Sequence, residues 1–200
     1  IGEPVSYDEL VSEIDNLLKI KDRLENQLMS FSKVISIERN IDVDEDTHLE
    51  IKEQPARTIA SIRKRTPFGF TGVSMRFLEL FNLANSKNVS IKFPYLTIFH
   101  EDYFNLLPFH VDYEVGATVD ENLHKELDFI STIPAGLFGT TIIRGSYEKN
   151  VHKYKVLVNW LDKKGYKITG PLIKSYLTTF AATKSVHNIV CELQLPIEKM

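Results

Sequence analysis

The 200-residue chain has one cysteine, Cys191, no apolar run approaching the length of a membrane span, and no large excess of either charge. A lone cysteine excludes an internal disulfide framework and a multi-cysteine zinc knuckle, and it fits a reducing cytoplasm better than secretion. Lys and Arg number 24 against 27 Asp and Glu, a net charge of −3. That balance excludes the strongly basic character of a nucleic-acid-binding module, so direct contact of this segment with DNA is not expected. The first residues are acidic and polar, unlike a signal peptide, and no membrane partner is expected. The chain opens on Ile1 rather than methionine, which leads us to expect a truncated or processed protein. There is no Gly-x-Ser-x-Gly elbow, no phosphate-cradling glycine loop and no Cys-x-x-Cys-His, and the His100-Glu101 pair lacks the second histidine of a helical zinc motif. No cofactor and no metal are therefore expected.

What is present begins with a helix. Ser6 followed by Glu9 makes a capping box, and Leu10, Ile14, Leu17, Lys21, Leu24, Leu28, Phe31 and Ile35 alternate at spacings of four and three. Such a helix packs either on its own domain or on a second copy. The narrow seam and polar remaining faces favour a dimerising arm within residues 1–40, pairing a homodimer through residues 6–35, with Lys21 setting register.

After an acidic loop from Asn40 to Thr47 the chain repeats itself. IKEQPARTIASI from Ile51 lies over ISTIPAGLFGTT from Ile130, and KNVSIKFPYLTIFH from Lys87 lies over KGYKITGPLIKSYL from Lys164. Between them the helical stretch around Leu80 lies over that around Leu157, and Glu114 to Val119 lies over Glu192 to Ile197. The halves are 47–120 and 126–200 of a 47–200 domain. A strand, helix, strand, strand unit leaves one sheet face bare, and two units pair into a larger sheet. The expected fold is α+β: two pseudo-twofold β-α-β-β repeats forming an antiparallel sheet, helices on one face, a ligand groove on the other, and a coiled-coil helix in front.

Strand alternation assigns faces. Ile189, Cys191, Leu193, Leu195 and Ile197 form one apolar face, and so do Phe109, Val111, Tyr113, Val115, Ala117 and Val119. These belong under the helices, which leaves Glu114 and Glu192 on the uncovered face. Tyr95, Thr97 and Phe99 in one copy, matched by Leu172, Lys174 and Tyr176 in the other, are expected to wall the same groove. Aromatic side chains around a few polar groups make a small-molecule site; an ordinary solvated sheet face is the alternative. His110 is the histidine placed beside Glu114 by alternation, and it is expected as a solvated strand residue. Cys191 is expected as an inert core thiol.

The order Gly145 and Tyr147, Trp160, Gly165 and Tyr166, Gly170 and Pro171, Tyr176, then Glu192 and Pro196 resembles the second half of GyrI-like effector-binding domains. The likeness runs over about Thr47 to Ile197. Such domains serve multidrug-sensing transcription regulators of the MerR and AraC types, and the preceding heptad helix is similar to the dimerisation linker of MerR-type regulators, which implies that DNA is reached only through a domain absent from this chain. The resemblance implies a cytoplasmic, non-catalytic effector domain with Tyr147 among its ligand-binding residues. Some relatives resemble hydrolases of strained rings, which would make Glu192 a candidate base; a stand-alone binding protein or hydrolase is the alternative. In the family an acid commonly stands two residues before the tyrosine and faces the pocket where lipophilic cations bind. Here that residue is Lys174. It either pairs with Glu192 or Glu114, meets the acidic group of a ligand, or reaches to solvent. A neutral or anionic amphipathic ligand is expected.

Overall fold

The computed structural model of the chain describes residues 48–103, 110–120, 127–145, 147–178 and 189–200, without the side chains of residues 70 and 147–149. The expected arm within residues 1–40 and the Tyr147 side chain lie outside the described residues.

Alternation writes the strands. In β4 (Val111–Val119), Val111, Tyr113, Val115, Ala117 and Val119 are buried while Asp112, Glu114 and Thr118 are half-buried, the period-2 signature of a sheet whose two faces differ. The same logic gives β1 (Leu49–Gln54), β2 (Arg57–Thr66), β3 (Ile91–Phe99), β5 (Ile130–Ile133), β6 (Gly136–Arg144), β7 (Tyr166–Ile168), β8 (Leu172–Tyr176) and β9 (Val190–Lys199). Helices α1 (Phe70–Ser86) and α2 (Tyr147–Lys163) interrupt them. Gly165 ends α2 at φ 78 and donates its N–H to the Asp162 carbonyl at 2.9 Å, a left-handed exit that a side chain would strain.

The strands form one curled antiparallel sheet in the order β1-β6-β9-β8-β3-β4-β2-β5, with β7 also paired to β9. That order is symmetric about the β3–β8 junction: β2 pairs β4 and β5 as β6 pairs β9 and β1. Both helices cover the same face. A Cβ on Gly139 of β6 would stand 2.6 Å from the Leu161 methyls of α2, so glycine is what lets that helix settle on the strand. From α1, the Phe77 ring lies 5.6 Å from Tyr95 and 6.0 Å from Tyr176.

Directly opposed residues in an antiparallel pair share a face, so the register sorts the sheet into rows. Thr141, Leu193, Lys174, Thr97 and Val115 make one row beneath the helices. The next row, Ile142, Glu192, Ser175, Leu96, Gly116 and Ser61, points the other way. On that bare face Ile59, Leu96, Ile98, Ile133, Phe138 and Ile173 form a buried cluster. Curling of the sheet hides them, at about 1.5–3 kcal/mol for each apolar side chain taken out of water.

Candidate functional site

Two polar clusters stand on opposite faces of the sheet. Beneath the helices, Phe99 meets Tyr103 at 4.8 Å and Phe68 at 5.2 Å between ring centroids, and Tyr103 meets Tyr154 of α2 at 5.2 Å. On the α1 side Tyr95 packs on Phe81 at 5.4 Å. Into these aromatics β3 and β8 place hydroxyls and an amine. Thr97 Oγ1 and the Tyr176 hydroxyl are 3.2 Å apart, and Lys174 Nζ lies 5.5 Å from the centroid of the Tyr176 ring, within cation–π range. Burial pushes the Lys174 amine below its ordinary value and the Tyr176 phenol above its own. Cys191 lies on this face as well, its thiol pushed up to about 11 by burial, with the Lys174 charge opposing.

Tyr95, Phe99, Leu172, Lys174 and Tyr176 therefore stay together as a set, but on the covered face and away from Glu114 and Glu192. The expectation that these five and Thr97 share the bare groove with the two glutamates is corrected by the register: Thr97 opposes Val115, and Lys174 opposes Leu193. The cause is that β3 and β8 are buried on both faces. Their alternate residues, Leu96 and Ile98 against Thr97 and Phe99, are all buried, so period 2 carries no polarity from which to choose a side. Lys174 accordingly pairs with neither glutamate.

The bare face holds a groove of about 800 Å³ whose lining includes Ile59, Ile98, Phe138 and Ile173 together with His100, Glu114 and Ser131. Glu114 Oε2 and His100 Nε2 are 2.8 Å apart, with side chains 13% and 20% exposed. Burial raises the Glu114 carboxyl, but hydrogen bonds from His100 and Ser61, with the charges of His100 and Arg63, outweigh it and leave the group below its ordinary value. Arg63 opposes Glu114 across β2–β4, yet its guanidinium donates twice to Asp112, at 2.9 and 2.8 Å.

Glu192 is held differently. Lys52 Nζ donates to its Oε1 at 2.8 Å and Gln194 Nε2 to its Oε2 at 2.6 Å. Arg57 donates to Gln194 Oε1 at 2.9 Å and lies 5.8 Å from the Phe138 ring centroid. Both Glu192 oxygens are thus committed to partners inside the chain.

His100, Ser61, Lys52, Arg57 and Gln194 were not singled out by sequence reasoning for these roles. His110 is exposed beside β4, and His100 is the histidine that reaches Glu114. The signal was available: His100 follows Leu96 and Ile98 at period 2, so the correct phase for β3 brings it to the bare face. Among the described residues no group of three or more His, Cys, Asp or Glu side chains suits a metal, and no helix is long and apolar enough to cross a membrane.

The fold has close counterparts. EcmrR in a DNA complex aligns with a TM-score of 0.67 at 20% identity, over 96% of this chain and 69% of that one. The EcmrR C-terminal domain alone gives 0.61 at 21% identity, over 78% of this chain and 99% of that one. A hydrolase from Listeria innocua gives 0.52 at 12% identity, over 75% and 91%. At these identities the likeness concerns the fold. No curated protein matches the chain. The family of GyrI-like small molecule binding domains matches residues 47–198, and with that span of curled sheet and paired helices the chain belongs to it.

Proposed function

We propose that the chain is the effector-binding part of a cytoplasmic transcription regulator of MerR type, taking a small amphipathic or aromatic molecule on the helix-covered face. The observation that carries this reading is Lys174, an amine set with the Thr97 and Tyr176 hydroxyls inside an aromatic cluster. Burying such groups costs stability, and a core built for stability alone has no use for them. Tyr95, Phe99, Leu172 and Tyr176 wall the site, and Tyr147 is proposed to join them. An ammonium already in place disfavours a second cation and suits a neutral or anionic ligand.

The symmetric strand order supports a duplicated β-α-β-β unit, and residues 6–35 would join two copies into a dimer. DNA would be contacted by another domain. Signalling then requires two states of unequal ligand affinity, since equal affinity shifts nothing. The reading is of a binder and not a catalyst: Glu192, the expected base, has both oxygens engaged by Lys52 and Gln194.

Calorimetric titration of the full chain with 2-naphthoic acid and with a tetraalkylammonium of similar size tests the site. The acid is expected to bind, the cation not, and Lys174→Met to weaken the acid about tenfold or more. Tighter binding of the cation, with Lys174→Met indifferent, rejects the reading.

A further inference from the structure

Lys174 is enclosed without being sealed. Its neighbours in β8, Leu172, Ile173, Ser175 and Tyr176, are buried, and Lys174 alone is half-buried. On this face α1 packs on β2 and β4 and α2 on β6, so β3 and β8, in the middle of the sheet, lie between the two helices. A cavity of about 400 Å³ reaches the same face, with Phe99, Leu172 and Tyr154 in its lining. Phe99 opposes Leu172 across β3–β8, and Thr97 opposes Lys174 in the next pair on that face. The cavity therefore borders the row that carries the amine, and its volume suits a small aromatic molecule.

The groups beside the amine suit it for reaction as well as for contact. The Thr97 hydroxyl stands across the strand pair and the Tyr176 hydroxyl two residues along β8, the two oxygens 3.2 Å apart. Lys174 Nζ lies 5.5 Å from the centroid of the Tyr176 ring. Burial lowers the pKa of the amine and raises that of the phenol. The amine thereby gains its uncharged, nucleophilic form near neutral pH, while the phenol keeps a proton to share.

We propose, resting on the covered-face site described above, that Lys174 captures aromatic aldehydes there as a reversible imine. The nitrogen lone pair bonds to the carbonyl carbon, and the carbonyl π pair moves to oxygen. Oxygen takes a proton from the Tyr176–Thr97 hydroxyl pair and nitrogen returns one to it, giving the carbinolamine. The carbinolamine hydroxyl then leaves with a proton as water, the nitrogen lone pair closes C=N, and the last hydrogen on nitrogen departs as a proton. One amine and one aldehyde give one imine and one water, with nothing oxidised or reduced. An aldehyde is uncharged, so the Glu101 and Asp102 carboxylates that also line the cavity do not oppose its entry.

The test treats the full chain with 2-naphthaldehyde near neutral pH, reduces it with sodium cyanoborohydride, and reads intact mass and a peptide map. One naphthylmethyl group per chain is expected on Lys174, forming about tenfold or more faster than on the exposed Lys87 and Lys199. In urea-unfolded wild type, Lys174 should label no faster than those two, which ties the rate to the fold without any variant. Lys174→Met and Lys174→Arg should both lose the adduct, the arginine although it keeps a positive charge. Tyr176→Phe should slow adduct formation about tenfold or more. Labelling spread evenly over exposed lysines, or a single adduct that persists in Lys174→Arg, would overturn the proposal. Binding of 2-naphthoic acid that depends on Lys174, without an aldehyde adduct there, overturns the imine and leaves the site reading intact. An adduct on Lys174 without binding of the acid supports the imine and counts against the anion reading alone.

Discussion

The two faces of one sheet handle their polar groups in contrasting ways. Beneath the helices an amine and two hydroxyls are set among aromatic rings, where burial lowers the pKa of the amine and raises that of the phenol. On the bare face a half-buried carboxylate is held below its ordinary pKa, because His100 and Ser61 donate to it and outweigh the smaller burial penalty there. Burial alone therefore does not decide the charge of a buried group; the donors and acceptors that the register brings beside it do. The two ends of the bare face differ as well: Lys52 and Gln194 hold Glu192, whereas His100 and Ser61 donate to Glu114 beside the groove.

Truncating a floor residue on each face should sharpen this contrast most. Leu193, fully buried under the helices, is expected to lose about 2–5 kcal/mol on mutation to alanine, since the cavity it leaves is sealed. Ile98→Ala on the groove floor leaves a cavity continuous with the groove, and a loss near the lower end of that range, about 2 kcal/mol, is expected. Urea unfolding of both variants measures the difference; equal losses would mean that the groove is closed by packing.

A smaller effect follows from the Lys174 amine. Its folded pKa lies below the ordinary 10.5, so the unfolded chain binds more protons between the two values, and stability should rise with pH across that window. Lys174→Met should remove this rise. The check is the difference in urea midpoint between wild type and variant, followed from neutral pH to pH 10. A difference that does not change with pH would place the amine in solvent.

The smallest effect is chemical. With its thiol pushed up to about 11, Cys191 holds almost no thiolate near pH 8 and should resist alkylation in the native state, reacting fully in denaturant. Rapid native labelling would mean that the helices do not close over β9.

Much of the fold was legible in particular strands. In β4 and β9 the alternation of Val115 and Leu193 with Glu114 and Glu192 has a polar side and an apolar side, so the faces followed directly. In β3 and β8 it does not: Tyr95, Thr97 and Phe99 alternate with Leu96 and Ile98, and each set is apolar enough to be buried. The aromatics were grouped correctly with one another and then placed on the wrong face, which split the expected site in two. His100 was passed over for the same reason, since its role depends on the phase of β3.

The sequence by itself determined which residues travel together, because successive side chains on a strand point to opposite sides and every second one shares a face. Which of the two faces received the helices at β3 and β8, and hence that Lys174 joins the aromatics while Glu114 meets His100, was decided only in the tertiary structure. Period 2 fixes relative phase and carries no sign; the sign comes from the inter-strand register and from the rings of α1 that settle on Tyr95 and Tyr176.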